Sequence, residues 1–247
     1  MNYFFEDFTE CNYKDLIIAT KNNYKFITYQ DINDTNGKVV LWRHDVDFSM
    51  HRALCLATIE AYASVTTTYF FYLHSFMYNL LEDEIFQIGK EIIGLGHKIG
   101  LHFDPAFYNL DVNETLRFYK CLSFEKKILE DLFETDVSVF SFHNPDAGNW
   151  ISFDDYKACE MVNTYSKKIN ESYYYCSDSN GYWRYNRLLD VINSKEDKLH
   201  ILTHPVWWVP EKMSPRSRVQ RCIDGRKEKS GSIYDKTLVE LNRVNVE

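Results

Sequence analysis

The sequence predicts an α/β fold built on a parallel sheet. From Val39 onward, short runs rich in β-branched and aromatic residues alternate with helical stretches. The runs are apolar almost throughout, as strands covered on both faces are. Five of them also end in Asp or His. Ligands of parallel α/β folds sit at the carboxyl ends of the strands, so this third feature points to a site.

Residues 1–38 read as a lead-in packed on the barrel, with a helix near Tyr13 to Asn22, a strand near Tyr24 to Tyr29 and the turn-rich link "DINDTNGK". "VVLWRHDV" is the first buried strand, after which Ser49 caps a helix to about Ala63 with Leu54, Ala57 and Ala61 on one face. "VTTTYFFYL" is the next strand. Glu82 to Leu95 carries Ile85, Ile88, Ile92 and Leu95 at helical spacing and is stopped by Gly94 and Gly96. "HKIGLHFD" follows as a strand, then an amphipathic helix over Asn113 to Glu134 with Leu122, Leu129 and Leu132 inward. "VSVFSFH" is a strand, and a helix is predicted near Ser152 to Glu160. "VNTYS", "YYYCSD" and "LHILTHP" complete seven strands, with a helix near Tyr185 to Ser194 between the last two. Such alternation implies right-handed crossovers. The chain has no GxGxxG and no GxxxxGK[ST], which weakens nucleotide-binding open sheets. A barrel of fewer than eight strands is preferred over an open doubly wound sheet. It spans residues 39–210, and residues 211–247 form a basic C-terminal extension.

The net charge of −8 speaks against broad nucleic-acid binding. From Glu211 on, 9 Lys and Arg face 6 Asp and Glu, so the remainder is the more acidic part. The stretch "RSRVQRCIDGRKEK" reads first as a solvated helix or loop, and second as an anion or partner site. The six cysteines show no CxxC, which gives disulfide and zinc-finger readings little support. The first ten residues lack a signal-peptide pattern and no apolar run reaches spanning length, so a cytoplasmic protein without a membrane span is expected.

The strand ends deliver Asp45 and Asp47, His102 and Asp104, His143, Asp178, and His204 to one rim. With a side-chain period of two, Asp45 shares a face with Asp47, and His102 with Asp104. Two carboxylates that close repel unless a cation or a shared proton relieves them. A divalent metal does so, and Asp with His is a ligand set for zinc and other first-row ions. One aspartate then binds the metal and the other remains free as a general base. Any one of these residues alone reads more simply as a cap or a packed histidine; the repetition over five ends carries the functional reading. His51, His74, His97 and His200 lie outside it and read as packing. Trp207 and Trp208 follow a strand end and are candidates to wall the site.

In order, "HDVD", "GHKIGLH", "SFHNP", "SDSNGYW" and "ILTHP" resemble the motifs of the polysaccharide deacetylase superfamily, carbohydrate esterase family four and its relatives. The resemblance runs from about Val39 to Trp208 and is similar to a divergent branch associated with bacterial surface-polysaccharide synthesis. It implies a distorted seven-stranded β/α barrel and a metal-dependent N-deacetylase acting on an acetamido sugar, nucleotide- or lipid-linked in a cytoplasmic setting. It implies Asp45 as base, Asp47 and His102 as ligands of a divalent metal, zinc by preference, His204 as general acid and Asp178 as its orienter. Trp183, Trp207 and Trp208 would stack on the sugar. Two positions depart from the pattern. Ala106 stands where the family has a second metal histidine, so Asp104 or His143 replaces it or the metal is lost. His143 stands near the position of an arginine that pairs with the base. The alternatives are an inactive carbohydrate-binding barrel and a hydrolase of another small amide.

Overall fold

The computed structural model describes residues 3–32, 36–183 and 185–246; the centre of the turn-rich link, 33–35, lies outside the described residues. The strands are β1 (Lys25–Ile27), β2 (Val39–Val46), β3 (Thr68–Phe71), β4 (Lys98–Phe103), β5 (Val139–Phe142), β6 (Lys157–Ala158), β7 (Met161–Asn163), β8 (Tyr174–Ser177) and β9 (Lys198–Thr203). The helices are α1 (Glu10–Asn23), α2 (Met50–Tyr62), α3 (Asp83–Gly94), α4 (Thr115–Phe133), α5 (Lys167–Ser172), α6 (Leu188–Ile192) and α7 (Pro215–Glu240).

One sheet runs β6-β7-β5-β4-β3-β2-β9-β8, and β1 also pairs with β2. Every pair is parallel except β6 with β7. Four inter-strand steps of about 4.8 Å separate β2 from β7, so a flat sheet would hold them roughly 19 Å apart. Yet Arg43 of β2 bonds the hydroxyls of Thr164 and Tyr165, just beyond β7. The sheet therefore curls into a half-barrel, with Ile27, Leu41, Phe70 and Val162 filling its inside. Alternation along β2 sorts the layers: Val39 and Leu41 face that interior, whereas Val40 and Trp42 face a cluster that includes α1 and α6.

The expected α/β barrel architecture is present; beside the seven strands predicted from Val39 on, the described residues include β1, which is the strand expected near Tyr24 to Tyr29, and β6, which is not expected. Strand β1 belongs to the lead-in and pairs the first three residues of β2, and β3 pairs the last four. Strand β6 lies where the sequence predicts a helix near Ser152 to Glu160. Cys159 and Glu160 both have positive φ, 48° and 66°, and turn the chain into a two-residue hairpin with Ala158 opposite Met161. Neither residue is a usual turn former, so the sequence carries no sign of it. The helix expected over Tyr185 to Ser194 is only α6, and α5 has no counterpart among the predicted helices.

On the outer face of β2 lies a buried polar knot. Glu60 of α2 accepts hydrogen bonds from the hydroxyls of Tyr13, Tyr69 and Thr67 and pairs with His44 Nε2 at 2.8 Å. The other ring nitrogen of His44 bonds Thr203 Oγ1 at 2.8 Å. All donors surround a charged acceptor with no exposure. Burial works against ionisation of Glu60, but the adjoining His44 and the hydroxyl donors hold its pKa at about 2. The folded value lies below the ordinary 4.5, so ionised Glu60 contributes stability above about pH 4.5 and loses it as pH falls toward 2. Denaturant titrations should show Glu60→Gln less stable than the wild type by roughly 3 kcal/mol at neutral pH, the gap narrowing below about pH 4. A gap independent of pH would mean that the charge is not what holds the knot.

Candidate metal centre and active site

Strand β2 runs straight into the site. Asp45 is its penultimate residue and Asp47 follows its end, both on the inner face. Ser49, two residues on, caps α2 by accepting from the Arg52 amide at 3.2 Å, so the chain turns away at once. Strands β4 and β5 lie side by side, with His102 opposite Ser141, and the His143 amide donates to the Phe103 carbonyl at 2.8 Å. The two imidazoles are thus fixed by the sheet ladder.

Asp47, His102 and His143 converge. Asp47 Oδ1 is 3.1 Å from His102 Nε2 and 3.6 Å from His143 Nδ1, and the two nitrogens are 3.2 Å apart. Ligands at ~2.1 Å from a tetrahedral ion stand about 3.4 Å from one another. The three donor atoms are already at that spacing. Asp47 Oδ1 is moreover buried without a hydrogen-bond partner of adequate geometry. Burial opposes ionisation of Asp47, yet the imidazoles of His102 and His143 beside it hold its carboxyl well below the usual carboxylate range. Burial lowers the pKa of His143, and the adjacent Asp47 carboxylate overcomes this and raises it. The residues present fit a divalent ion.

Around this trio, Ser141 sets the tautomer. Its hydroxyl donates to Asp45 Oδ1 at 3.4 Å and lies 2.7 Å from His102 Nδ1. With the hydroxyl hydrogen so used, Nδ1–H donates to Ser141 Oγ and the Nε2 lone pair faces Asp47 and His143. Asp45 is only 2% exposed and has its own cation, Arg43, at 3.6 Å. Arg43 is fully buried, held by Thr164, by Tyr165 Oη at 2.9 Å and by the faces of Phe70 and Tyr165. Burial alone would lower its pKa, but Asp45 and the surrounding tyrosines raise it further.

On the other flank, His204 Nε2 approaches Asp47 Oδ2 at 3.8 Å. Its Nδ1 bonds Asp178 Oδ1 at 2.6 Å, and its backbone amide donates to the same carboxylate at 3.0 Å. Trp208 Nε1 donates to Asp178 Oδ2 at 2.8 Å. Burial disfavours the imidazolium of His204, but the Asp178 hydrogen bond and charge raise its pKa to about 9. The site opens into a cavity of about 810 Å³ walled by Phe48, Phe76, Tyr165, Tyr175 and Trp207.

Three sequence expectations fall elsewhere. Asp104 is outside the trio: Oδ1 caps the following turn by accepting from the Ala106 amide, and Oδ2 accepts from Tyr72 Oη at 2.7 Å. Trp208 is 0% exposed and cannot stack on a ligand; its indole holds Asp178 instead. Trp183 packs on Phe8 and Trp208, donates to Asp7 at 2.8 Å and does not line the cavity. Two residues of the site escape the sequence reading. Arg43 stands two before Asp45 and Ser141 two before His143, so strand periodicity alone puts them on the working face.

No protein-family model and no curated protein matches the sequence. Solved structures that resemble the chain include members of the CE4 family. A CE4 family pseudoenzyme from Bacillus anthracis is similar at 16% identity and a TM-score of 0.45, over 78% of this chain and 62% of that one. A mutant of that pseudoenzyme with restored enzymatic activity gives 15% and 0.44, over 79% and 64%. A family 4 acetyl xylan esterase from Clostridium thermocellum, in complex with a cobalt ion, gives 13% and 0.38, over 76% and 84%. The chain thus spans less than two thirds of the length of the pseudoenzyme structures. Among the described residues no helix is long and apolar enough to cross a membrane.

Titration calorimetry with Co²⁺ or Zn²⁺ checks the trio. Asp47→Ala and His143→Ala should each weaken binding by at least about tenfold, and Ser141→Ala by about 10- to 100-fold. Asp104→Asn should bind as the wild type does. Strong loss in Asp104→Asn with none in His143→Ala would move the third ligand to Asp104.

Proposed function

We propose that the protein is a metal-dependent amide hydrolase that removes the acetyl group from an acetamido sugar. The observation that carries this reading is the position of the three donor atoms between two differently equipped groups. Asp45 is an acceptor held beside Arg43, and His204 is a donor held by Asp178. Asp47, His102 and His143 would hold the ion, which when bound supplies Lewis-acid activation of water and of the amide carbonyl.

The remaining chemistry belongs to the chain. Asp45 accepts a proton from the attacking water, and Arg43 stabilises its carboxylate before that transfer. His204, an imidazolium by virtue of Asp178, points Nε2–H toward the centre and donates to the nitrogen as the C–N bond breaks. Acetate and the free amine result. Asp178 is triply anchored, so the imidazole cannot swing out of line. A cavity of about 810 Å³ falls within the range of small-molecule sites, roughly 300–1,000 Å³. Trp207 and its aromatic neighbours offer apolar faces of the kind that cover a sugar ring. A sugar of one or two units fits this volume better than a long polymer. Zinc is the favoured ion for one carboxylate and two imidazoles.

Asp45→Asn should keep the metal and abolish turnover on an acetamido sugar; release of the metal would show base and ligand to be exchanged. His204→Ala should keep the metal and slow turnover by about 10²- to 10⁴-fold. Arg43→Met should keep the metal and depress kcat more than KM, because it removes the cation that holds the base in place at 3.6 Å. A wild-type protein that takes up no divalent ion and hydrolyses no acetamido sugar would leave a carbohydrate-binding barrel in place of an enzyme.

A further inference from the structure

A second cavity, about 370 Å³ in volume, lies beneath α7, between that helix, the start of α2 and α3. Its floor is apolar: Met50, Met77, Ile85, Val206 and Val209 are all buried. Its rim is basic. Arg52, Arg221, Arg226 and Lys229 line it with His51, against two carboxylates, Glu82 and Glu84, while Arg218 lies buried in the wall, bonded to the Gly181 and Phe5 carbonyls. Arg226 is bound to Glu82 at 2.5 and 2.6 Å and Lys229 to Glu84 at 2.8 Å, and these pairs tie α7 to α3. Arg52 pairs with Glu10. Arg221 has no ion pair among the described residues, so the rim keeps an uncompensated positive charge.

Only a thin aromatic wall divides this cavity from the catalytic one. Phe48 lines both. Phe76 and Trp207 line the catalytic side, and their chain neighbours Met77 and Val206 line the other. The three rings are in contact, with Phe48 centred 5.9 Å from Phe76 and 6.1 Å from Trp207.

We propose that the cavity beneath α7 is a second ligand site, which takes an anionic group carried on an apolar body: the phosphate-linked hydrocarbon of a sugar conjugate whose acetamido end lies in the catalytic cavity. The charge of the rim selects the phosphate and the floor selects the hydrocarbon. A nucleobase would bury polar edges against a floor that leaves them unpaired. The linkage to a sugar rests on the deacetylase reading; the binding of the amphiphile does not.

The test is calorimetric titration of the full chain with dodecyl phosphate below its micellar concentration, beside dodecanol and a nucleoside monophosphate. Gly225 lines the cavity and a Cβ there meets nothing within 4 Å, so Gly225→Leu adds apolar bulk to the wall with its first carbon unobstructed. Gly231 on the same helix has equally open surroundings and does not line the cavity, so Gly231→Leu is the control. Dodecyl phosphate should bind the wild type and Gly231→Leu alike, and Gly225→Leu and Arg221→Glu at least about tenfold more weakly. Equal binding by Gly225→Leu, or a nucleoside monophosphate that binds as well as dodecyl phosphate, would overturn the assignment; so would dodecanol matching dodecyl phosphate. Because the titration reads binding alone, its failure leaves the hydrolase reading standing, and a protein without turnover can still pass it.

Discussion

Two carboxylates on one face at the end of one strand, Asp45 buried and Asp47 half-buried, set the terms for the rest of the structure. Asp45 and Asp47 lie about one strand repeat apart, in a place from which bulk water is largely withdrawn. Their mutual repulsion and desolvation have to be met by partners, and the partners are divided. Arg43 goes to Asp45, and His102, His143 and His204 go to Asp47. Each partner needs its own element in place. Arg43 is held only because the curl of the sheet brings Thr164 and Tyr165 across the barrel. The histidines converge because parallel crossovers return every strand with its carboxyl end on the same rim.

The opposite face of β2 completes the constraint. His44 points away from the site and is gripped between Glu60 and Thr203, which immediately precedes His204. One strand therefore presents polar side chains on both faces, and both sets are satisfied by side chains from other elements. Asp45, Asp47 and the start of the His204 segment are thus referenced to one rigid piece. Site geometry of a few tenths of an ångström depends on this kind of support.

Much of this was legible because a strand repeats every two residues. The pairing of Asp45 with Asp47 and the run of Asp and His at successive strand ends follow from that period and from parallel topology. What escaped was decided by distance in three dimensions. Arg43 obeys the same period, but nothing local says that its chain extends forward to Asp45 and across to Tyr165. Trp207 and Trp208 are adjacent in sequence, and a tight 3-10 turn over Pro205–Trp207 sends one ring to the cavity and the other into the core. Residue type cannot separate them. The β6–β7 hairpin escaped because its two positive-φ residues are Cys159 and Glu160, held there by the strands they join.

The relation between Ala106 and His143 follows from the same reasoning. The resemblance places a histidine at position 106, in a loop four residues beyond His102. In this chain that loop is held in a different way. Asp104 accepts from the Ala106 amide and from Tyr72, which closes the turn over Pro105–Tyr108. Tyr72 in turn stacks on His143, its ring centre 4.5 Å away. Asp104 thus acts on the site through Tyr72, fixing the ring that backs the third donor. In the candidate trio the third donor atom comes instead from the end of a paired strand, His143, whose amide is bonded to Phe103, the neighbour of His102. The two imidazoles of that trio are set one strand spacing apart by the sheet itself.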